Sequence, residues 1–599
     1  MLAHCCLGFL CKIIIKTPRG IWTVNSNKQV TISTFMAGYF KYDAAAQVDT
    51  PAAENGRSNR KAGTGMMTGN IWNADLGNGN YRNPILYADY SDPDAIRVGE
   101  DYFMVASSFS NAPGLPLLHS KDLMNWKVVN YVIDRIPDER YNAAIHGCGV
   151  WAPSIRYHQG TYYVCFPMPD EGIYMSTATD PFGKWSQPVN IRPGAGWIDP
   201  CPFWDEDGRA YLVAGVAKSR IGYKSVLHMV EMQPDGMGLI GEEVKIFDGN
   251  ENDQVTIEGP KMYKRNGWYY VFAPAGGVKT GWQTVLRSRN VFGPYEYKVV
   301  MRQGDSIVNG PHQGAWVDTE TGEDWFLHFQ DVYAAGRITH LQPMSWHEDW
   351  PVIGIAKDGN DYGEPVTEYQ KPNVGKCNAE PCEPDTSDDF TGAVLGLQWQ
   401  WNANPGDNWY ELTGHGLKLN AVYKDTVYGD MPNLLLQKWP APEFSCVTKL
   451  DLSHLEDGDE AGVISMGTSY GLLTFKKENG RLMPYYVSGV QKYGKIVPDF
   501  TEETETPLAS IEPGAEKEIY VKYTVKQTGT RDLNENEKGF PLELVTMEYG
   551  TDKNSWHKAG EMTSMPGRWV GVKNGIFCAS TKKESKGYLT AGQVVYKRT

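Results

Sequence analysis

Between residues 90 and 330 the apolar positions fall in short aromatic bursts bounded by turn residues, with no long stripe of helical period. Five of these bursts are alike: EDYFMV (100–105), GTYYV (160–164), GRAYLV (208–213), GWYYVF (267–272) and EDWFLHF (323–329). Their anchors Tyr102, Tyr162, Tyr211, Tyr269 and Trp325 lie 60, 49, 58 and 56 residues apart. Alternation over a few residues, β-branched and aromatic content and flanking Gly or Asp predict strands. A repeat near 50 residues predicts a propeller or another closed β array. Three of the repeats continue into Ser-led turns that end on an aromatic: HSKDLMNW (119–126), MSTATDPFGKW (175–185) and RSRNVFGPYEY (287–297).

Asp92, Trp151, Asp199, Glu258 and His312 precede the five anchors by 10, 11, 12, 11 and 13 residues. If each repeat is one blade, equivalent positions face one axis. Three carboxylates, an indole and an imidazole are then expected at one end of a five-bladed propeller. As a dipeptide, Asp-Pro is ordinary turn chemistry; here position in the repeat carries the argument. Carboxylates gathered among aromatic rings acquire different pKa values through burial and mutual repulsion, which suits separate acid and base roles.

Past the repeats, residues 356–387 are rich in Asp, Glu, Pro, Gly and Asn and read as a linker. Residues 388–599 alternate again, in FSCVTKLDL, AGVISM, YGLLTFKK and GRWVGVKNGIFCAS, which predicts a β-sandwich with a packing or sugar-binding role. The expected organisation is an N-terminal tail over 1–75, a five-bladed β-propeller over 76–355, the linker, and the sandwich. The fold class is all-β. The start, MLAHCCLGFLCKIIIKTPRG, lacks a basic n-region and has Lys12 inside its apolar run, so it makes a poor secretory signal. Met36 serves equally well as a natural start. Secreted or periplasmic placement is slightly favoured.

Composition narrows the chemistry. A net charge of −15 argues against nucleic acid or anionic membrane as partner. The 19 Trp and 34 Tyr serve β surfaces, but their rings also stack on sugar faces. Ten Cys are scattered without a zinc-type array. Cys377 and Cys382 in CNAEPC are close enough to bridge, and a free pair is an equal alternative.

The runs NPILYADYSDPDAIRVGEDYFMV, GVWAPSIRYHQGTYYV, WIDPCPFWDEDGRAYLV, IEGPKMYKRNGWYYVF, NGPHQGAWVDTETGEDWF and GRITHLQPMSW, in that order, resemble family 43 glycoside hydrolases. The likeness covers roughly 83–352, and the C-terminal region is similar to the sandwich of β-xylosidase-like members. The resemblance implies inverting hydrolysis of β-xylosides or α-L-arabinofuranosides. On it, Asp92 is the general base, Glu258 the general acid, and Asp199 the third carboxylate that orients the acid and keeps its pKa high. Phe109 and Trp151 are implied as walls of the sugar subsite, and Arg337 as a donor to sugar hydroxyls. His312 is implied on the axis, beside a calcium ion or a water; a buried, hydrogen-bonded histidine is the competing reading. No cofactor is required. Asp94 stands where the family often has a small residue. Inversion needs the two carboxyls about 6.5–9.5 Å apart, with a water between.

The expected substrate is xylo-oligosaccharide or arabinoxylan, cleaved from its end. A retaining fructosidase-like propeller is opposed by the absence of WMNDPNG and of Arg-Asp-Pro. An α-L-arabinofuranosidase stays open, because the two sugars present similar hydroxyl patterns. A non-catalytic, lectin-like propeller is opposed by the presence of all three carboxylates. Oligomeric state is not legible.

Overall fold

A computed structural model describes residues 12–17, 20–25 and 71–599, apart from 377–378, 494–497 and 513. Within the N-terminal unit, Lys12–Thr17 pairs antiparallel with Gly20–Asn25. The alternative start at Met36 and Cys377 lie outside the described residues.

Five antiparallel blades of four successive strands follow one another along the chain; four are four-stranded sheets, and the sheet of the fourth is extended to six by two short strands from residues 355–364. Their inner strands are Asp94–Val98, Ser154–His158, Trp197–Trp204, Lys261–Arg265 and His312–Asp318. Each anchor aromatic is the second residue of its blade's second strand. The Ser-led turns join third to fourth strands in blades 1, 2 and 4. In the first, the Asp122 carboxylate accepts the N–H groups of Met124 and Asn125, which swings Trp126 into the core. Such side-chain-to-backbone turns are what Ser and Asp favour.

The hydrophobic core is divided into clusters that sit between neighbouring blades. Blades 1 and 2 share Phe103, Val105, Ile155 and Val164, and blades 5 and 1 share Tyr102, Met104, Trp325 and Leu327. Ring closure is completed by the segment before blade 1, where Ile85 N and Leu86 N donate to Thr339 O at the edge of blade 5. Ring closure buries the inner edges of the blades and leaves short outer strands at the rim, which limits the edge exposure that is the usual weakness of β architectures.

The expected linker carries short strands. Gly363–Glu364 adds parallel to blade 4, and Glu368–Gln370 pairs with Asn80–Arg82. Two- and three-residue strands have no readable periodicity, which is why composition alone suggested a linker. The compact body also begins before the expected boundary at Leu76: the N–H groups of Ile71 and Trp72 both donate to the Glu383 carboxylate.

Beyond the linker two sheets face each other. One contains Asp459–Met466, Ser469–Glu478 and Lys573–Ser580; the other contains Phe444–Asp451, Ile519–Arg531 and Tyr588–Arg598. Phe444–Asp451 shows strict alternation of buried and half-buried residues, as a sandwich strand must. The sandwich is bolted to the propeller through backbone: Ala112 and Trp401 exchange N–H···O bonds of 3.1 and 2.6 Å, and Val572 N donates to Ala334 O at 2.7 Å.

Candidate active site

Asp92, Trp151, Asp199, Glu258 and His312 all stand at the start of inner strands, so the blade symmetry brings them to one end of the axis. Local backbone aims the two Asp-Pro carboxylates. Asp92 and Asp199 have φ of 56° and 55°, a left-handed conformation that Asp tolerates better than most residues. At Asp199 the register slips between Ile198 and Cys201, so Asp199-Pro200 forms a bulge. A bulge leaves its residues out of the ladder, suits a proline without an N–H, and re-aims a side chain.

The three carboxylates occupy different environments. Asp92, 3% exposed, accepts from Ser107 Oγ at 2.7 Å and from Arg337 Nη1 at 2.9 Å on Oδ1 and 3.3 Å on Oδ2. Asp199, 2% exposed, accepts from Gly259 N at 2.8 Å and from Gln313 Nε2 at 3.4 Å, both on Oδ2. Burial, then the charges of Glu258 and Asp92, push the Asp199 carboxyl up to about 8. Glu258 is the most open of the three, its side chain 24% exposed, and its Oε1 lies 2.9 Å from His312 Nε2. Gly259 joins the two sites, since its N–H holds Asp199 while its neighbour carries Glu258.

Arg337 is buried and committed to Asp92. Burial alone would lower its pKa, but Asp92, Asp331, Asp89 and Glu258 together hold it above the ordinary value. Trp151 is partly exposed with its Nε1 on Gly147 O at 3.2 Å, and Phe109 lies behind it at 6.1 Å between ring centroids. Phe109 is only 3% exposed, so it backs the indole and offers little surface of its own.

His312 has a fully buried side chain. It supports the Glu258 carboxylate through Nε2, and its Nδ1 has no partner among the described residues. One uncommitted nitrogen is a poor match for calcium, which takes 6–8 oxygen ligands. No three His, Cys, Asp or Glu side chains among the described residues are grouped to hold a metal ion. The residues at His312 therefore do not make a calcium site by themselves. Asp94, beside Asp92 in sequence, accepts from Arg156 Nη1 at 2.6 Å and Ile155 N at 2.8 Å, which locks blades 1 and 2 together below the site.

Several residues that complete the site escaped the sequence reading. Asp89 accepts the Arg337 N–H on one oxygen and the Gly571 N–H on the other, both at 2.9 Å. This carboxylate fastens the sandwich loop 566–571 to the strand that carries Arg337. The close approach depends on Gly336, whose φ is 81° and whose Cβ would stand 2.5 Å from the Asp89 carboxylate. Trp569, at the loop's tip, lies 6.4 Å from Trp151 and has the Arg337 guanidinium 5.7 Å from its ring centre. A cavity of about 390 Å³ opens there, lined by Lys279, Asp331, Tyr333 and Arg337 from the propeller and by residues 566–570 from the sandwich. GRWVGV reads as strand by alternation; its two flanking glycines were the signal for a loop.

A family model described as glycosyl hydrolases family 43 matches residues 81–351, and one described as the β-xylosidase C-terminal concanavalin A-like domain matches 387–597. A putative β-xylosidase of Xylanibacter ruminicola is 39% identical over 523 residues, spanning 86% of this chain and 89% of that protein. The chain belongs to glycosyl hydrolase family 43. It is a glycoside hydrolase whose propeller and sandwich are both family features. A second relative, the non-reducing end α-L-arabinofuranosidase of Bacteroides ovatus, is 30% identical across 66% of this chain and 75% of its own length. The crystal structure of xylan β-1,4-xylosidase from Bacillus halodurans C-125 shares the fold, with a TM-score of 0.70 at 24% identity over 86% of this chain and all of that one.

Proposed function

We propose that this family 43 enzyme is an exo-acting, inverting β-xylosidase that releases terminal xylose from β-1,4-xylo-oligosaccharides, with side activity on α-L-arabinofuranosides. The observation that carries the mechanism is the unequal setting of three carboxylates at one end of the axis. Asp92 accepts hydrogen bonds from Ser107 and Arg337, the setting of an ionised group, and serves as the base that draws a proton from water. Glu258 has the most exposed side chain of the three carboxylates, at 24%, and serves as the acid for the leaving oxygen. With His312 Nε2 on Oε1, the second oxygen is left to carry the proton outward. Asp199, buried and facing the charges of Glu258 and Asp92, keeps its own proton to about pH 8.

The sandwich loop supports exo action. Trp569 and its neighbours stand over Arg337 and close one side of the cavity, which suits a chain end better than a chain passing through. Trp151 and Trp569 supply ring faces for the terminal sugar. Positioned proton transfer of this kind is worth about 10²–10⁴-fold each.

A primary α-L-arabinofuranosidase is the second reading, favoured by the Bacteroides ovatus relative. Initial rates on aryl β-D-xyloside and aryl α-L-arabinofuranoside, measured side by side, separate the two. The proposal expects clear preference for the xyloside; a reversed preference overturns it.

A further inference from the structure

The residues paired directly with the five anchor aromatics form a ring of their own. They are Arg97, Tyr157, Phe203, Lys264 and Val317, one from each inner strand. Each stands four to six residues past the member of the catalytic end on the same blade, which is roughly 15–20 Å along a strand. All five line a second cavity, of about 740 Å³, at the opposite end of the axis. Such a volume is within the range of small-molecule sites, about 300–1,000 Å³.

Two cationic side chains cross-link the inner strands between the two ends of the axis. Arg156 is bonded to Asp94 at 2.6 Å and to Cys201 Sγ at 2.9 Å, and the buried Lys261 ammonium donates to Pro153 O and Ser154 Oγ, both at 2.8 Å. This funnel is lined by other residues than the catalytic end and is a separate site.

Its walls combine ring faces with paired charges. Tyr157 is 46% exposed, with its ring 4.8 Å from Tyr162. Trp204 is stacked with His158 at 5.1 Å, and Phe203 and Trp316 are half-buried beside them. The charged groups answer one another: Arg97 with Asp318 at 2.5 Å, Lys264 with Asp205 at 2.5 Å and with Glu206 at 3.1 Å, Arg265 with Asp349 at 3.3 Å. Cancelled charge gives no attraction for an anionic or cationic ligand. Fixed carboxylates and guanidinium groups with spare donor and acceptor capacity do suit hydroxyl groups, and rings suit the C–H faces of a pyranose.

We infer that the funnel opposite the catalytic end is a second saccharide-binding site, occupied by a neutral pentose oligosaccharide of the kind the enzyme hydrolyses. Holding polymer at one end raises the local concentration of chain ends at the other, the usual gain from two linked sites. The choice of oligosaccharide rests on the proposed xylosidase reading; the existence of the funnel does not.

Full-length protein carrying Glu258→Gln, dialysed to equilibrium against xylohexaose, tests it. Two bound molecules per chain are expected. Adding Tyr157→Ala, at an exposed ring, should weaken one class at least about fivefold, in keeping with the loss of an aromatic stack. Tyr157→Ala alone should hydrolyse aryl β-D-xyloside within twofold of the parent rate, which also reports that it folds. One bound molecule per chain in the Glu258→Gln protein, or two with affinities unmoved by Tyr157→Ala, overturns the inference. Two bound molecules without any hydrolysis by the wild type would sustain the funnel and sink the xylosidase reading instead.

Discussion

Replacing Asp199 by Asn probes the coupling between the carboxylates. The change is nearly isosteric, and the amide carbonyl can still accept the Gly259 N–H that Asp199 holds at 2.8 Å. What disappears is a titrating group lifted from 3.8 to about 8 by burial first, then by Glu258 and Asp92. Asp199 retains its proton to about that pH, so the alkaline limb of wild-type kcat/KM should fall near 8. The Asp199→Asn substitution removes that titrating group, and with it the step near 8. The alkaline limb should therefore leave the region of 8 and move to lower pH, with kcat reduced below the limb as well. The assay is kcat/KM on xylobiose from pH 5 to 9, since a sugar leaving group needs the acid. Stability carries the same sign. A carboxyl raised in the folded state favours folding below about 4, and that contribution is lost as pH rises through about 8. A shift of about four units at ~1.36 kcal/mol each sets a ceiling of roughly 5–6 kcal/mol on the loss. The Asp199→Asn variant should thus melt higher relative to wild type at pH 8 than at pH 5. An alkaline limb that stays put, or moves up, would refute the coupling.

Other consequences are as direct. Glu258→Gln should lose about 10²–10⁴-fold on xylobiose yet retain much of its rate on substrates with very good leaving groups, such as xylosyl fluoride, whereas Asp92→Asn should lose on both. Equal losses for the two variants on both substrates would undo the division of roles. Trp569→Ala should raise KM for xylobiose severalfold with a smaller change in melting temperature, because its ring is 44% exposed; unchanged KM would remove the sandwich loop from the sugar subsite. Lys573 is buried beside Lys438, and burial followed by that like charge pulls it down to about 7. A lysine lowered on folding favours the folded state at high pH and loses that contribution as pH falls through about 7. Lys573→Met should therefore raise the melting temperature at pH 6 more than at pH 9, by differential scanning calorimetry; equal shifts at both would show that its charge state is not at issue.

Much of the site was legible because a closed repeat converts sequence position into spatial position. Tyr102, Tyr162, Tyr211, Tyr269 and Trp325 occupy one register in five blades, so Asp92, Asp199 and Glu258 had to converge. What could not be read depends on pairings with no sequence signature. Arg337 reaches Asp92 across 245 residues and is held by it, a pairing that no local pattern foretells. Asp89 reaches Gly571 across 482 residues, and no local pattern foretells that a sandwich loop joins the propeller end. His312 carried a double expectation, and the buried, hydrogen-bonded alternative describes its surroundings. The short strands within 356–387 were hidden because two residues cannot display a period.

The most direct test of the account is the anomeric form of the xylose released first, followed by proton NMR during the early hydrolysis of an aryl β-D-xyloside. An inverting exo-β-xylosidase with Asp92 as base and Glu258 as acid must release α-xylose, with the β anomer appearing only through mutarotation. Early accumulation of β-xylose would mean retention and a covalent intermediate, and would contradict the assignment of Asp92.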